Sequence, residues 1–462
     1  MANPEPYDFL IIGAGQCAVP LAQACAAAGR RTALVEREHV GGTCVNEGCT
    51  PTKTMVASAR VAYLARRAAD YGIHTNDIRV DLASVRDRKR SIVDEFRGSS
   101  ERRLNQVEHL DVIAGDAVFT GPKQVAITLH EGGTRTVGAE TVIIDAGGRP
   151  SIPPIPGLAD VPYLTSTTIM ELDRVPEHLV VLGGGYIALE FAQMFRRFGS
   201  AVTVLERSGR LVEREDDDIA ESLTQILTED GIAIRTDVQV TAVRGSVGEV
   251  AVEGSKGGAP IHVTGSHLLV AVGRRPNTDT LGCDAAGITL DARSYIPVDE
   301  CLQTNVAGVY AVGDINGGPA FTHISYDDYR ILKANLLDAG AASTAGRMVP
   351  YVLFTDPQLG RVGLTEAQGR KAGLSIKVAS MPMNYVARAL ETDESRGLMK
   401  AVVDASTEKI LGCAVLGIEG GEIMSALQIA MMAGLPYPKL RDGIFAHPTL
   451  MESLNNLFTY LK

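Results

Sequence analysis

The sequence predicts an α/β protein with two Rossmann-like dinucleotide-binding domains, because one βαβ pattern occurs twice within its 462 residues. The first copy is YDFLIIGAGQCAVPLAQACAAAGRRTALVER, and the second is EHLVVLGGGYIALEFAQMFRRFGSAVTVLER. Each copy reads as an apolar strand, a glycine-rich turn, a helix, and a second strand that ends in an acidic residue. The acidic residue follows the first glycine at the same spacing in both copies, which argues against coincidence.

Dinucleotide binding explains why these residues occur in this order. The first glycine allows a tight turn, the second lets backbone N–H groups approach a pyrophosphate, and the small third residue brings helix and strand together. The helix N-terminus then faces the phosphates, and the acidic residue accepts hydrogen bonds from a ribose. Two copies therefore predict two bound dinucleotides. The residues in these positions are Gly13, Gly15, Ala18 and Glu36 in the first copy, and Gly183, Gly185, Ala188 and Glu206 in the second.

Composition and charge exclude several classes of protein. The net charge of −11 argues against nucleic-acid binding, because little positive charge is available to release counterions from phosphates. The uncharged run over residues 9–29 is long enough for a membrane span, yet its glycines belong to the first βαβ pattern and no basic segment precedes it. We therefore expect a cytoplasmic protein with no membrane or nucleic-acid partner.

Two closely spaced cysteines, Cys44 and Cys49 in GGTCVNEGCTPTK, are the main chemical signal. A disulfide that closes so short a loop removes little chain entropy, so it would be a weak structural cross-link. Thiols near a helix N-terminus and Lys53 are expected to have lowered pKa values, which favours a redox-active pair. Zinc is the main alternative, but two further ligands with comparable spacing are not evident, and no metal site is predicted.

These motifs resemble those of the class I pyridine nucleotide-disulfide oxidoreductases, the flavoprotein family of glutathione reductase, lipoamide dehydrogenase and mercuric reductase. The resemblance extends over essentially the whole chain, and the cysteine motif is among its most specific parts. Further matching segments are AVGRRPN (271–277), VYAVGDINGG (309–318), PYVLFTDPQLGRVGLTE (350–366) and FAHPTLMESLNNLF (445–458). One variation is visible, because the usual Ala-Thr-Gly at the end of the first domain reads Ala146-Gly147-Gly148.

The resemblance implies three domains. The FAD-binding domain is discontinuous and comprises residues 1–148 and 271–340. The NAD(P)H-binding domain comprises residues 149–270. An α+β dimerisation domain comprises residues 341–462, so a homodimer is expected.

The resemblance also implies roles for individual cofactor-binding residues. Glu36 contacts the adenosine ribose of FAD, and Asp314 lies near the ribityl chain and pyrophosphate. Lys53 and Glu190 pair beside the flavin N5, and Tyr186 covers the nicotinamide pocket until the nucleotide arrives. The remaining expected cofactor contacts are Gly42, Thr43, Gly147 and Gly273.

Four residues are expected to carry the catalytic cycle by the same resemblance. Cys49 is the sulfur nearest the flavin, and Cys44 is the exposed thiol that attacks the oxidised substrate. His447, oriented by Glu452, protonates the leaving group and reaches the disulfide of the other subunit. Histidine suits this task because its pKa lies closest to working pH.

The substrate is less well determined by the sequence. The motif sequences most resemble those of mercuric-reductase-like proteins and of the reactive-chlorine-resistance branch, which reduces hypothiocyanous acid. We expect a small disulfide or a thiol-reactive oxidant as the substrate. Mercury(II) reduction is disfavoured because no cysteine follows Cys413 to deliver the metal, and because His447 replaces an aromatic residue usual in mercuric reductases. Dihydrolipoamide dehydrogenase is the main alternative.

Two alternatives from other classes remain. A non-enzymatic FAD-containing redox sensor or structural dimer would not turn over, and an NADH oxidase or transhydrogenase would not need the thiol pair. The nicotinamide preference is also open between NADH and NADPH. Glu206 favours NADH because it would repel a 2′-phosphate, whereas Arg207 and Arg210 could bind that phosphate. The balance leans slightly towards NADH.

The other cysteines are expected to be structural. Four of them should be small core residues, and Cys283 should be exposed. The four are Cys17, Cys25, Cys301 and Cys413.

Overall fold

The computed structural model describes residues 4–462, which form a mixture of strands and helices. The strands are β1 (Glu5–Ile12), β2 (Thr32–Glu36), β3 (Leu110–Gly121), β4 (Gln124–Leu129), β5 (Thr134–Ile144), β6 (Gly148–Pro150), β7 (Tyr163–Leu164), β8 (His178–Leu182), β9 (Ala201–Leu205), β10 (Ile232–Arg235), β11 (Val238–Ser246), β12 (Glu249–Lys256), β13 (Ala259–Gly265), β14 (His267–Val270), β15 (Arg274–Pro276), β16 (Val309–Ala311), β17 (Tyr351–Leu353), β18 (Gln358–Gly363), β19 (Ile376–Pro382), β20 (Leu398–Asp404) and β21 (Ile410–Gly417).

The α-helices are α1 (Ala18–Ala27), α2 (Gly42–Asn46), α3 (Cys49–Arg66), α4 (Leu82–Leu104), α5 (Tyr186–Phe198), α6 (Asp217–Glu229), α7 (Thr322–Leu336), α8 (Glu366–Lys371), α9 (Ala387–Glu391), α10 (Gly420–Met432), α11 (Pro438–Arg441) and α12 (Ser453–Leu457). Residues 4–462 contain no helix that combines the length and the apolar character needed to span a bilayer.

The chain divides into two compact units. The first unit comprises residues 4–55, 84–151 and 273–347, and the second comprises residues 56–83, 152–272 and 348–462. The three-domain boundaries expected from the sequence stay a prediction.

The first unit is built on a sheet whose central strand is β1. Strand β1 pairs in parallel with β2 on one side and with β5 on the other. Strand β3 extends the sheet beyond β2, and β16 extends it beyond β5, again in parallel. Strand β4 is antiparallel to both β3 and β5. The glycine turn therefore follows the carboxyl end of β1, where open α/β sheets bind ligands.

Alternation along β1 explains the two cores of the first unit. Leu10 and Ile12 point into one buried cluster, and Phe9 and Ile11 point into the cluster on the opposite face. Successive side chains of a strand point to opposite faces, so a strand buried on both sides reads as a continuous apolar run. This is why FLII in the first copy contains no polar residue.

The second unit contains a similar parallel sheet and two antiparallel sheets. Strand β8 lies between β9 and β14, with β10 beside β9 and β7 beside β14, all parallel. Strands β11, β12 and β13 form an antiparallel sheet of three strands. Strands β17, β18, β21, β20 and β19 form an antiparallel sheet in that order. Helix α10 packs on that last sheet and contributes Ile423, Met424 and Leu427 to its core.

The predicted fold class is confirmed, since both βαβ copies form parallel sheets and the C-terminal region is α+β. Two expectations about cysteines are wrong. Cys283 is buried and Cys301 is exposed, the reverse of what the sequence suggested. Cys283 begins a short 3₁₀ turn that packs into the core of the first sheet, so local polarity is a poor guide to its burial.

Candidate functional site

The first glycine turn is held close to the end of the neighbouring strand. Gly13 has a φ of +95°, and a Cβ atom there would lie 2.2 Å from the carbonyl oxygen of Asp145. A Cβ atom at Gly15 would lie 2.6 Å from the Oδ2 atom of the same aspartate. Larger residues are therefore excluded at both positions. Ala18, the third residue of the pattern, is buried and begins α1.

Glu36 stabilises the turn through its carboxylate. Its Oε2 atom accepts a hydrogen bond from the backbone N–H of Ala14 at 2.7 Å. Its Oε1 atom accepts one from the N–H of Glu38, also at 2.7 Å. A carboxylate has about four lone-pair sites, so acceptor capacity remains for a ribose hydroxyl.

The second copy repeats these contacts. A Cβ atom at Gly183 would lie 2.5 Å from the carbonyl oxygen of Ala271, which follows β14. The Oε2 atom of Glu206 accepts a hydrogen bond from the N–H of Gly184 at 2.5 Å, and Oε1 accepts one from Ser208 at 2.6 Å. The sequence repeat is thus a repeat of local geometry as well.

Asp145 is a buried carboxyl group that sequence reasoning missed. Its Oδ2 atom accepts a hydrogen bond from the N–H of Ala18 at 3.0 Å, at the start of α1. Burial raises the pKa of Asp145 well above its usual range, and the nearby carboxyl groups of Asp314, Asp328 and Glu36 raise it further. The sequence signal was present, because an aspartate directly before Ala-Gly-Gly at the end of an apolar strand is unusual.

Asp314 lies in the 3₁₀ turn Gly313–Asn316. Burial raises the pKa of this carboxyl group, and Arg274, whose Nε lies 3.9 Å away, opposes that shift. Two other predicted cofactor contacts, Gly147 and Gly273, also belong to the first unit. A Cβ atom at either glycine would meet nothing within 4 Å, so space remains beside both.

Asn46 fixes the loop that carries the cysteine pair. Its amide nitrogen donates to the carbonyl oxygens of Val40 and Gly42, at 3.1 and 2.9 Å. The guanidinium of Arg97 donates to its side-chain oxygen at 2.8 Å. Gly42 begins α2, and a Cβ atom there would lie 3.0 Å from the Cα of Gly15, so this loop packs on the first glycine turn.

The two cysteines of the motif lie at adjacent helices. Cys44 follows Gly42 and Thr43 in α2, and Cys49 is the first residue of α3. Both are thiols in this structure, and Cys49 lies close enough to Cys44 to raise the pKa of its thiol. The hydroxyl of Thr322, the first residue of α7, lies 3.3 Å from the Cys49 sulfur. The pair is therefore placed for disulfide chemistry within one unit of the chain.

The pKa of Cys44 departs from the sequence-based expectation. The hydrogen bond with Cys49 raises the pKa of the Cys44 thiol, and burial raises it further. The expectation of a lowered pKa is therefore wrong for Cys44 in this reduced form. A thiol that keeps its proton needs a base before it can attack a substrate.

Lys53 and Glu190 lie in different compact units, so their pairing stays a prediction. Lys53 lies one helical turn after Cys49 in α3. Glu190 is buried in α5, where its Oε1 atom accepts a hydrogen bond from the N–H of Phe354 at 2.8 Å.

Tyr186 is the first residue of α5, directly after Gly185. Its hydroxyl donates to the Oε1 atom of Glu215 at 2.9 Å, and its ring centroid lies 5.3 Å from that of Tyr351. Burial raises the pKa of Tyr186, and the negative charge of Glu215 raises it further. The hydroxyl is therefore a protonated donor at neutral pH.

The two arginines after Glu206 differ in their surroundings. Arg207 is exposed. Arg210 donates to the carbonyl oxygens of Glu213 and Glu215, at 2.7 and 3.1 Å, and forms an ion pair with Asp217. Arg210 is thus engaged within its own loop.

His447 and Glu452 form a pair near the C-terminus. The Nδ1 atom of His447 lies 2.8 and 3.1 Å from the two carboxylate oxygens of Glu452. The His447 side chain is 68% exposed, so the ring is oriented by its own chain while its other nitrogen is accessible. This arrangement suits a histidine that exchanges protons with another group.

Two helix N-termini fit the phosphates of two dinucleotides. Within residues 4–462, the N-caps of α1 and α5, Cys17 and Gly185, make no side-chain capping hydrogen bond. A Cβ atom at Gly185 would meet nothing within 4 Å, so the N-terminus of α5 is approachable. Unsatisfied N–H groups and the helix dipole favour anions at such positions. The described residues therefore suit one dinucleotide at each βαβ unit.

Comparison with known families identifies the chain. The model of the pyridine nucleotide-disulphide oxidoreductase family matches residues 7–328, and the model of the family's dimerisation domain matches residues 349–458. The chain belongs to the pyridine nucleotide-disulphide oxidoreductases. It is therefore an NAD(P)H-dependent flavoprotein oxidoreductase, and its cofactors are FAD and a nicotinamide dinucleotide.

Individual members of this family are similar over nearly the full length. The probable pyridine nucleotide-disulfide oxidoreductase RclA of Escherichia coli K12 is 38% identical over 460 residues, which cover 99% of each chain. A mercuric reductase of Staphylococcus aureus is 35% identical over 97% of this chain and 81% of its own. A solved Cu(II) complex of the HOCl-induced flavoprotein disulfide reductase RclA from Escherichia coli superposes with a TM-score of 0.90, at 38% identity and 99% coverage of both chains.

Asparagine in place of Asp145 is expected to stabilise this oxidoreductase at alkaline pH. The folded-state pKa of Asp145 is raised, so the unfolded chain releases this proton at a lower pH than the folded chain does. Stability is therefore lost as pH rises from the unfolded towards the folded pKa. Asp145→Asn cannot ionise and keeps an acceptor for Ala18, so its urea midpoint should exceed that of the wild type at about pH 8 and depend less on pH.

Asp145→Ala is the matched control, because it removes both the charge and the acceptor. It should be less stable than Asp145→Asn at every pH. A variant Asp145→Asn that is less stable than the wild type at both about pH 5 and about pH 8 would show that the ionised carboxylate is required.

Proposed function

We propose that this flavoprotein reduces a small disulfide or a thiol-reactive oxidant, with Cys44 and Cys49 as the redox pair. The observation that carries this proposal is the pair of neighbouring thiols in α2 and at the start of α3, on a loop that packs against the first glycine turn. FAD, when bound, accepts hydride from the nicotinamide and supplies two electrons to the disulfide. Two electrons and two protons convert that disulfide to the thiols of Cys44 and Cys49.

Cys44 is the proposed attacking thiol, and Cys49 is the resolving one. The Cys44 sulfur attacks the oxidised substrate, forms a mixed disulfide and releases the first reduced fragment. Cys49 then attacks the Cys44 sulfur, releases the second fragment and re-forms the disulfide. Thr322 supports the role of Cys49, because its hydroxyl is within hydrogen-bonding distance of that sulfur.

His447 is the proposed acid and base for this exchange. Cys44 keeps its proton beside Cys49, so a base must remove that proton before attack, and the same group then protonates the departing sulfur. The contact between Nδ1 and Glu452 supports this role, because it orients the ring.

His447 is proposed to act on the disulfide of the other subunit in a homodimer. Its segment belongs to the region that matches the dimerisation-domain model. Large apolar side chains are exposed in the same region, at Ile429, Met432 and Ile444. Exposed apolar groups of this size are typical of surfaces that become buried in an assembly.

The substrate we favour is a small reactive oxidant such as hypothiocyanous acid. The similarity to a HOCl-induced flavoprotein disulfide reductase supports this class. A small oxidant can react directly at a thiol and needs no large binding groove. Reduction of mercury(II) is the second candidate, because a mercuric reductase is 35% identical over 97% of this chain, and lipoamide is the third.

NADH is the nucleotide we favour at the second site. The carboxylate of Glu206 lies at the end of β9, where it would repel a 2′-phosphate and accept hydrogen bonds from a ribose. Arg210, the more ordered candidate for a phosphate contact, is engaged with Asp217 and two backbone carbonyls. Arg207 remains the candidate that could favour NADPH.

Replacement of either motif cysteine is expected to abolish reduction of the oxidant while leaving flavin reduction intact. Cys44→Ser and Cys49→Ser both remove the disulfide, so electrons reach FAD and stop there. Steady-state NAD(P)H consumption should fall at least about a hundredfold. It is measured with each of five oxidants in turn: hypothiocyanous acid, glutathione disulfide, lipoamide, Hg(II) and Cu(II). Anaerobic bleaching of the flavin by NADH measures the retained first half-reaction.

Cys301→Ser is the matched control, because Cys301 is an exposed thiol outside the motif. It should keep wild-type turnover with the preferred substrate. Full turnover by Cys49→Ser would instead support an NADH oxidase or transhydrogenase, and no turnover of any substrate by the wild type would support a redox sensor.

Mixed dimers are expected to show that His447 acts across the subunit interface. Cys44→Ser and His447→Ala homodimers should both be nearly inactive. A heterodimer of the two retains one intact pair of Cys44 and His447 only if the pair is contributed by different subunits, so it should show about half the wild-type activity. Co-expression with two affinity tags isolates the heterodimer, and an inactive heterodimer would place the pair within one subunit.

Glu206→Gln is expected to raise the efficiency with NADPH relative to NADH. The substitution removes the charge that repels a 2′-phosphate and keeps a side-chain oxygen for the N–H of Gly184. The ratio of kcat/KM for the two nucleotides should shift towards NADPH by about tenfold, which corresponds to about 1.4 kcal/mol. Arg207→Ala should shift the ratio in the opposite direction. An unchanged ratio in Glu206→Gln would contradict the assignment of Glu206.

A further inference from the structure

Tyr186 is held by a buried group of polar side chains that the sequence motifs do not contain. Its hydroxyl donates to the Oε1 atom of Glu215 at 2.9 Å. Tyr351 donates to the same oxygen at 2.6 Å. The other carboxylate oxygen, Oε2, accepts a hydrogen bond from Nε of Arg361 at 2.9 Å. Both oxygens of this carboxylate thus accept hydrogen bonds from neighbouring side chains.

Glu215 is rigidly placed. Its side chain has no exposed surface, and that of Arg361 is 2% exposed. Arg361 also donates to Asp216 at 2.9 Å, and Asp216 in turn lies 3.8 Å from the ammonium of Lys400. Positive and negative charges alternate through the group, so the buried carboxylate is compensated and its position is fixed from several sides.

Tyr186 is less tightly enclosed than Glu215, because only part of its surface is buried and it begins a helix. It follows Gly185, beside which a Cβ atom would meet nothing within 4 Å. Rotation of the tyrosine side chain would require loss of the hydroxyl contact with Glu215 and of the ring contact with Tyr351. The resting position of Tyr186 is therefore set by two side chains that themselves cannot move easily.

We propose that Glu215, Tyr351 and Arg361 form a latch that holds Tyr186 over the nicotinamide pocket, so that nucleotide binding must break the hydrogen bond between Tyr186 and Glu215. This inference rests on the proposed role of Tyr186 as the cover of that pocket. Glu215 is a positioning residue in this scheme, since it acts through Tyr186. A protein whose binding-competent form is a minor population binds its ligand with an affinity reduced by that fraction. The latch thus sets nucleotide affinity without contacting the nucleotide.

The latch also links two parts of the sequence. Tyr186 and Glu215 belong to the region matched by the oxidoreductase model, whereas Tyr351 and Arg361 belong to the region matched by the dimerisation-domain model. Strands β17 and β18 carry the latter two residues within one sheet. The tyrosine that responds to nucleotide is therefore held by residues whose positions depend on the C-terminal fold.

Tyr186→Phe tests the latch, because it removes the hydroxyl and keeps the ring. Calorimetric titration of the oxidised, FAD-containing enzyme with NAD⁺ and with NADP⁺ measures the dissociation constant. We expect the constant for the preferred nucleotide to fall by about tenfold, since the closed position loses a hydrogen bond to a charged acceptor. The KM for the reduced nucleotide should fall in parallel.

Tyr351→Phe is the matched control, because it removes a hydroxyl from the same carboxylate oxygen and keeps the ring that contacts Tyr186. Its nucleotide dissociation constant should not fall. An equal fall in both variants would overturn the latch, because general loosening of the buried group would then explain the result. Unchanged or weaker nucleotide binding by Tyr186→Phe would overturn it as well.

Failure of the latch can be told apart from failure of the proposed function. A wild-type enzyme whose flavin is reduced by NADH or NADPH retains the proposed function even if Tyr186→Phe binds nucleotide no more tightly. A wild-type enzyme that binds neither nucleotide would instead remove the pocket on which the latch is proposed to act. Glu215→Gln, if it folds, should lower the dissociation constant in the same direction as Tyr186→Phe.

Discussion

Both nucleotide-binding units depend on one steric constraint: the first glycine of each turn passes under the carbonyl oxygen at the end of the neighbouring parallel strand. A Cβ atom would lie 2.2 Å from that oxygen at Gly13 and 2.5 Å from it at Gly183. The obstructing atoms are backbone, so they cannot rotate away as a side chain could. Because β5 and β14 pair directly with β1 and β8, this close approach joins the strand order, the turn and the position of the following helix.

The acidic residue of each copy makes the same geometry more rigid. Glu36 and Glu206 each accept a hydrogen bond from an N–H of the glycine turn and another from the N–H two residues further along the chain. The carboxylate thereby links the end of its strand to the turn before any ligand is present. Ordering the acceptor in advance lowers the entropic cost of binding a ribose, so the structural role and the proposed binding role support each other.

The sequence predicted the parts of the fold that depend on local periodicity, and missed those that depend on contacts between distant residues. The repeated βαβ pattern predicted the parallel strands of both sheets. The helical pattern after the cysteine motif placed the thiols near a helix N-terminus, and α3 begins at Cys49. The α+β C-terminal region could be predicted only through resemblance. Asp145, Thr322 and Glu215 were not singled out, because each acquires its environment from segments far along the chain. The raised pKa of Cys44 was missed for a different reason, since it depends on the nearby Cys49 side chain and on burial.

The proposed electron transfer and proton transfer depend on residues from different segments of the chain. The C-terminal region contributes the proposed proton-transfer residue and a residue that helps to position Tyr186. The sulfurs that would exchange electrons lie within one short segment, so their geometry is set by α2 and the start of α3. The proton that Cys44 retains needs a partner, and the proposed partner His447 lies beyond residue 349, in the region that matches the dimerisation-domain model. Arg361, from the same region, fixes the carboxylate that holds Tyr186. A substitution that disturbs packing of β18 should therefore disturb the contact between Arg361 and Glu215, and through it the position of Tyr186.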